Sequence, residues 1–198
     1  MKKIAVLISS AGEGTNLQAI IDGINSGKIK GQIVLVIADN ENAYGLVRAK
    51  ENNIPTLVIS KQDNLEKILK DHNINFVCLA GWKQIISNSL IDNFRVLNVH
   101  PGLIPDTKEE IIKNPDGTNS LWNKGKFANA AIKNFLDQKA SYAGSTVHFL
   151  SHDFDFGPVL ERTFEKIQPG DTVESLYQRL KSKENEAYVK ALERLCNE

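Results

Sequence analysis

Cysteine is scarce in this chain, and neither sign of charge prevails. Two cysteines stand among 198 residues, Cys78 inside an apolar run and Cys196 near the C-terminus. That spacing gives no disulfide framework and no Cys-x-x-Cys metal pair, so a reduced, cytoplasmic setting is expected. Twenty-four basic residues balance twenty-four acidic ones, with no long block of either. Wholesale attraction to nucleic acid or anionic lipid is thereby excluded, and an anionic ligand needs a local site. Long apolar runs are missing too: after Met1-Lys2-Lys3 the run ends at Ile8, too short for a membrane span or a signal-peptide core. Internal repeats and low-complexity linkers are absent, so the expectation is one domain over 1–198, with a core of useful size.

What is present is alternation. Short apolar runs at Ile4–Ser9, Gln32–Ala38, Thr56–Ile59, Phe76–Ala80 and Val96–Val99 predict strands. Between them, Asn16–Ser26, Tyr44–Asn52 and Asn64–His72 carry apolar residues at helical spacing. This is the signature of βαβ units, and it predicts a doubly wound α/β fold with a mostly parallel sheet. After Pro105 the pattern breaks. Residues 106–120 hold turn signals such as Asn114-Pro115-Asp116-Gly117 and read as an ordered surface loop or short helix. A helix over Phe127–Gln138, strands over Ser145–Leu150 and Val159–Phe164, and a long helix over Thr172–Cys196 follow. They predict an antiparallel C-terminal portion, with Asp171 or Thr172 capping the last helix.

Two stretches carry candidate chemistry. In Leu97-Asn98-Val99-His100-Pro101, Asn98 and His100 are two residues apart on a strand and so share a face. Pro101 and Pro105 stop the strand there, at a position where α/β folds place ligands. An amide beside an imidazole suits oxyanion stabilisation and proton movement, although turn and capping roles explain the same residues. In Ser9-Ser10-Ala11-Gly12-Glu13-Gly14-Thr15-Asn16, small residues join the first strand to the first helix, where backbone amides and the helix dipole favour a phosphate. A dinucleotide site lacks the third glycine of its pattern, while Asp39 could reach a ribose; a purely structural turn is the third reading.

Taken together, Gly14-Thr15-Asn16-Leu17-Gln18, Ala80-Gly81-Trp82, Asn98-Val99-His100-Pro101, Gly144-Ser145-Thr146-Val147-His148-Phe149 and Asp155-Phe156-Gly157-Pro158 resemble the phosphoribosylglycinamide (GAR) formyltransferases. These enzymes use 10-formyltetrahydrofolate in purine biosynthesis. The resemblance implies a formyltransferase-like Rossmann-type fold, with a phosphate-binding half over 1–100 and a folate-binding, active-site half over 101–198. It implies Asn98, His100 and Asp155 as the catalytic set. Gly14, Thr15 and Asn16 would hold the 5′-phosphate, with Lys181 and Glu184 on the ribosyl-glycinamide. Lys83, Gln84, Ile85 and Ile86, and Ser151, His152, Asp153 and Phe154, would border the folate. The co-substrate is then 10-formyltetrahydrofolate, without metal. The partners are small molecules, with no nucleic acid and no membrane, and the chain acts as a monomer or homodimer.

Other residues keep two readings. Lys181 and Glu184 lie in a charge-dense run that is ordinary on a solvated helix. His148 lines the site or supports it through a satisfied hydrogen bond; with His152 it shows an H-x-x-x-H spacing, but on a strand and a loop rather than a helix. Trp82 and Trp122 stack on a flat ligand, or pack the core and anchor a loop respectively. The sequence also departs from the resemblance. Extra residues at Ala11-Gly12-Glu13 require Glu13 to point away from a phosphate, Lys83-Gln84 replaces Met-Arg, Gly102 replaces a serine, and the segment 106–143 is longer than usual. Two alternatives share the catalytic set: a formyltetrahydrofolate hydrolase, and a formyltransferase acting on another amine such as an amino-sugar nucleotide. The hydrolase is expected to carry a further N-terminal domain, whereas Met1 here opens almost directly on the first strand.

Overall fold

The computed structural model of the chain describes residues 1–10 and 12–198; Ala11, within the glycine-rich turn, lies outside the described residues. The chain forms two compact units, residues 1–98 with 192–198, and residues 99–191.

In the first unit, β1 (Lys2–Ile8), β2 (Gly31–Ala38), β3 (Thr56–Val58), β4 (Phe76–Leu79) and the start of β5 (Arg95–His100) are parallel, in the order β3-β2-β1-β4-β5. β1 pairs on both sides, and Ile4 to Ile8 are buried, which is why its sequence is a continuous apolar run rather than an alternation. The connections are α1 (Thr15–Asn25), α2 (Gly45–Glu51), α3 (Leu65–Asp71) and α4 (Asn88–Asn93). α1 buries Leu17, Ile20 and Ile21, one helical stripe. The strand order reverses between β1 and β4, so their carboxyl ends flank the crevice where such sheets take ligands. α4 escapes the periodicity reading because six residues are too few to show a period. Its signal is the cap: the Ser87 side chain accepts from the Leu90 N–H at 3.2 Å.

The second unit begins with the last two residues of β5, followed in strand order by β6 (Tyr142–Phe149) and β7 (Val159–Lys166), which are antiparallel. β6 starts three residues before the expected Ser145, since Tyr142, Ala143 and Gly144 pair with Lys166, Glu165 and Phe164. Ladder pairing overrides the low strand preference of glycine. α5 (Ala128–Asp137) buries Ala131, Ile132 and Phe135; of these, Ile132 and Phe135 pack with Ala143, Leu176 and Leu180. Further along α6 (Val173–Asn197), Ala187 and Ala191 pack on Val147. Thr172 caps α6 by accepting from the Ser175 N–H at 3.1 Å, as expected. Within residues 106–120 no helix forms; a bridge between Lys113 and Asn119 closes the Asn114–Gly117 turn.

The fold class expected from the sequence is borne out: a mostly parallel sheet in an α/β arrangement, an antiparallel C-terminal portion and a long C-terminal helix. No helix among the described residues is long and apolar enough to cross a membrane.

Candidate functional site

β5 alternates its side chains, so Asn98 and His100 lie on one face at its carboxyl end. His100 is buried, 2% exposed, and both of its ring nitrogens face oxygens. Nδ1 is 3.5 Å from Asp155 Oδ1, and Nε2 is 2.7 Å from the Trp122 carbonyl oxygen. A carbonyl only accepts, so Nε2 carries the hydrogen in that bond. Asp155 sits in the loop between β6 and β7 with a left-handed backbone, φ 50°. Its Oδ2 accepts from the Gly125 N–H at 2.7 Å, and its backbone carbonyl accepts from the Trp122 indole at 2.9 Å. Burial pushes the Asp155 carboxyl up, but the bond from His100, the His100 charge and the Gly125 bond together hold it below the usual range.

Around this pair the interior is polar. His148 is fully buried, with its ring 6.5 Å from that of His100 and edge-on to it; its Nδ1 lies 3.0 Å from the Phe149 carbonyl oxygen. Burial first, and the His100 charge second, lower its ring to about 4. The supporting role expected for His148 fits this geometry better than direct lining of a site. Glu184, also buried, faces Lys181 at 3.4 Å across one turn of α6. Burial raises its carboxyl, and Lys181, His100 and Ser145 offset this only in part. The structure therefore draws Lys181 and Glu184 together, with Glu184 inside the field of His100. The reading of this pair as an ordinary solvated stretch does not hold for Glu184. In the 151–154 turn, Ser151 Oγ donates to the Phe156 carbonyl at 2.7 Å, and Lys108 holds Asp153 at 2.9 Å. His152 and Phe154 are exposed there.

The first unit contains the other predicted residues. Gly14 opens α1 with φ 69°, a left-handed turn that suits glycine. Just inside it, Thr15 Oγ1 and Asn16 Oδ1 are buried without a partner among the described residues, a combination that fits a polar ligand at this turn. The Glu13 side chain is exposed and its carbonyl accepts from Arg48 Nε at 2.8 Å. At the carboxyl ends of the strands, Ser9 Oγ donates to Asp39 at 2.7 Å and accepts from the Lys83 N–H at 3.1 Å; the Gln84 amide reaches Asp39 at 3.3 Å. Asp39 is thus engaged within the protein rather than presented to a ribose. Within 83–86, Ile85 is 93% exposed. Trp82 is half-buried rather than core, and its buried indole N–H has no acceptor among the described residues. Among the described residues no group of three His, Cys, Asp or Glu is placed to hold a metal ion.

The sequence pattern of the formyl transferases matches residues 2–192. The chain belongs to the formyl transferase family. It is 33% identical over 199 residues to the phosphoribosylglycinamide formyltransferase of Haemophilus influenzae, covering 95% of this chain and 84% of that one. It is 30% identical to the chloroplastic enzyme of that name from Arabidopsis thaliana, covering 100% of this chain and 66% of that one. To the human trifunctional purine biosynthetic protein adenosine-3 it is 32% identical, matching 96% of this chain but 18% of that longer protein. Among solved structures, glycinamide ribonucleotide transformylase 1 of Symbiobacterium toebii superposes with a TM-score of 0.82 at 31% identity, covering 100% of this chain and 88% of that one. The resemblance read from the motifs is therefore borne out. Sequence reasoning missed Trp122 and Gly125 as neighbours of the site, because their contacts span 22 to 33 residues and no spacing announces them.

Proposed function

We propose that this formyl transferase moves the formyl group of 10-formyltetrahydrofolate to the amine of 5-phosphoribosylglycinamide, a step of purine biosynthesis. The observation that carries the reading is the His100–Asp155 pair, 3.5 Å apart, at the end of the strand that also bears Asn98. Attack of the amine on the formyl carbon places negative charge on the formyl oxygen. Asn98 supplies amide hydrogens to that oxygen, and His100 adds positive charge beside it. Asp155, ionised by its bonds, keeps His100 oriented, takes the amine proton directly or through water, and returns a proton to N10 as the formyl C–N10 bond breaks and tetrahydrofolate leaves. Removal of one oxyanion donor costs about 2.7–4 kcal/mol of barrier.

On this reading Gly14, Thr15 and Asn16 hold the 5′-phosphate, and Lys181 and Glu184 hold the ribosyl-glycinamide. Lys83, Gln84, Ile85 and Ile86, with Ser151, His152, Asp153 and Phe154, border the folate, and no metal takes part. The chain acts on small molecules as a single formyltransferase domain, as a monomer or homodimer in the cytoplasm, without nucleic acid or membrane. The even charge balance and the absence of a disulfide between Cys78 and Cys196 support that setting.

The test is formyl transfer from 10-formyltetrahydrofolate, with and without 5-phosphoribosylglycinamide, following folate product, formylated acceptor and formate. Acceptor-dependent transfer that falls about a hundredfold or more in His100→Ala is expected. Formate release without acceptor would replace the proposal by hydrolysis, and turnover only with another amine would replace the acceptor.

A further inference from the structure

The long segment after Pro105 returns to the end of β5 at residues 121–125, and every bond it makes there bears on His100 or Asp155 or fixes the turn itself. The Trp122 carbonyl accepts from His100 Nε2 at 2.7 Å, while the indole of the same residue donates to the Asp155 carbonyl at 2.9 Å. Three residues on, the Gly125 N–H donates to Asp155 Oδ2 at 2.7 Å. The turn is not loose. Leu103 N–H donates to the Leu121 carbonyl at 3.0 Å, and buried Asn123 donates to the Pro101 carbonyl at 3.1 Å. Asn134 of α5 donates to Asn123 Oδ1 at 2.7 Å, and the Trp122 ring packs against Phe156 at 5.7 Å.

We infer that Trp122 is a positioning residue: its carbonyl and its indole hold His100 and Asp155 as one unit, and Gly102 is the glycine that makes room for this. A Cβ at position 102 would lie 1.8 Å from the Trp122 oxygen and 2.6 Å from its carbonyl carbon. Both atoms are backbone, so neither could swing away as a side chain does. The serine that the family resemblance leads one to expect at 102 is therefore incompatible with a carbonyl at this position. The glycine at 102 and the long segment, two departures that look separate in the sequence, form one device. The carbonyl fixes the hydrogen on Nε2 and turns Nδ1 toward Asp155; the indole and Gly125 fix the carboxylate that Nδ1 faces. Reacting groups misplaced by about 1 Å lose up to a hundredfold in rate, which is the scale on which such a clamp acts.

The inference rests on the reading of His100 and Asp155 as the reacting pair, and its first test needs no substrate. In the full chain labelled with 15N-histidine, with His100 assigned by its loss in His100→Gln, Nε2 is expected to show the shift of a protonated, slowly exchanging nitrogen. Gly102→Ser is expected to remove that signature, and to lower kcat by about tenfold to a hundredfold with KM for each substrate within about twofold. Trp122→Phe keeps the carbonyl and ring packing but loses the indole bond, and is expected to lower kcat about fivefold. An unchanged Nε2 signature in folded Gly102→Ser overturns the inference. If Gly102→Ser does not fold, Trp122→Phe decides: wild-type kcat in a variant of unchanged melting temperature overturns it, and a reduced kcat with unchanged KM supports it. If the wild type proves inactive on every acceptor, the proposed function fails, while the ring-nitrogen signature still decides whether the clamp exists.

Discussion

The two units bury different things. In the first, the interior is almost wholly apolar, and Ser9 and Asn16 are its only buried polar residues among those described. In the second, His100, Asn114, Ser120, Asn123, Ser145, Thr146, His148, Glu165 and Glu184 are all buried. Parallel strands satisfy their own backbone through the ladder and leave side chains to pack. The second unit has two long antiparallel strands and an extended loop, so its backbone groups turn to side chains for partners. Asn114, for example, donates to Thr118 Oγ1 at 3.0 Å and to the Asn119 carbonyl at 3.2 Å. Low local dielectric strengthens such bonds and makes each lost partner costly. The first unit buries almost only apolar groups, while the second sets buried polar groups beside its apolar clusters.

Truncation of an apolar side chain should therefore hurt most in the first unit. Leu7 is fully buried in β1, opposite Ile37 of β2 and Leu79 of β4. Leu7→Ala removes its transfer free energy and leaves a cavity between paired strands that cannot close, at a cost of about 2–5 kcal/mol. Urea unfolding followed through Trp82, with Trp122→Phe as background so that only the first unit reports, is expected to show this as a large drop in midpoint. A loss under about 1 kcal/mol would mean that the sheet relaxes, and the contrast between the units would weaken.

The same contrast explains what could be read in advance. The strands and helices of the first unit follow from local periodicity, since a buried parallel strand is apolar throughout and a covering helix is apolar on one stripe. Errors there are of one or two residues at element ends, apart from α4. The motif residues Asn98, His100 and Asp155 stand out as types, but in the second unit the arrangement of His100 and Asp155 depends on residues 121–125. Nothing local in Leu121-Trp122-Asn123-Lys124-Gly125 says that a carbonyl meets an imidazole 22 residues away. Likewise Lys181 and Glu184 look like a solvated pair until α6 is packed, when Glu184 proves 4% exposed. Long-range hydrogen bonding leaves no period in a sequence.

Acidification should sharpen the comparison next, because the second unit holds a buried imidazole. Burial and the His100 charge bring the His148 ring from 6.5 to about 4, with Asp155 and the Phe149 carbonyl acting in the opposite sense. The unfolded chain then binds the proton first as pH falls, so stability is fully present above about pH 6.5 and declines toward pH 4. The loss amounts to about 3 kcal/mol over that window. Glu184 works in the other direction: its raised carboxyl favours the protonated form in the fold, so its contribution weakens as pH rises through and above the ordinary carboxylate range. Between pH 6.5 and 4.5, His148→Leu is expected to flatten the decline in melting temperature seen for the wild type. An unchanged slope would assign the acid sensitivity elsewhere.

The finest distinction comes from a substitution that changes almost no volume. Thr146 Oγ1 lies at the centre of β6, fully buried, accepting from the Ile104 N–H at 3.0 Å and donating to the Gly102 carbonyl at 2.7 Å. Thr146→Val keeps the shape and adds apolar surface, so by burial alone it would be neutral or stabilising. By hydrogen-bond accounting it strands one buried donor and one buried acceptor, at a cost of about 1–3 kcal/mol. Unfolding followed through Trp122, with Trp82→Phe as background, separates the two accounts. A loss in that range places the stability of the second unit in its matched polar groups. No loss would show that this unit, like the first, is held by packing, with its polar interior serving the site alone.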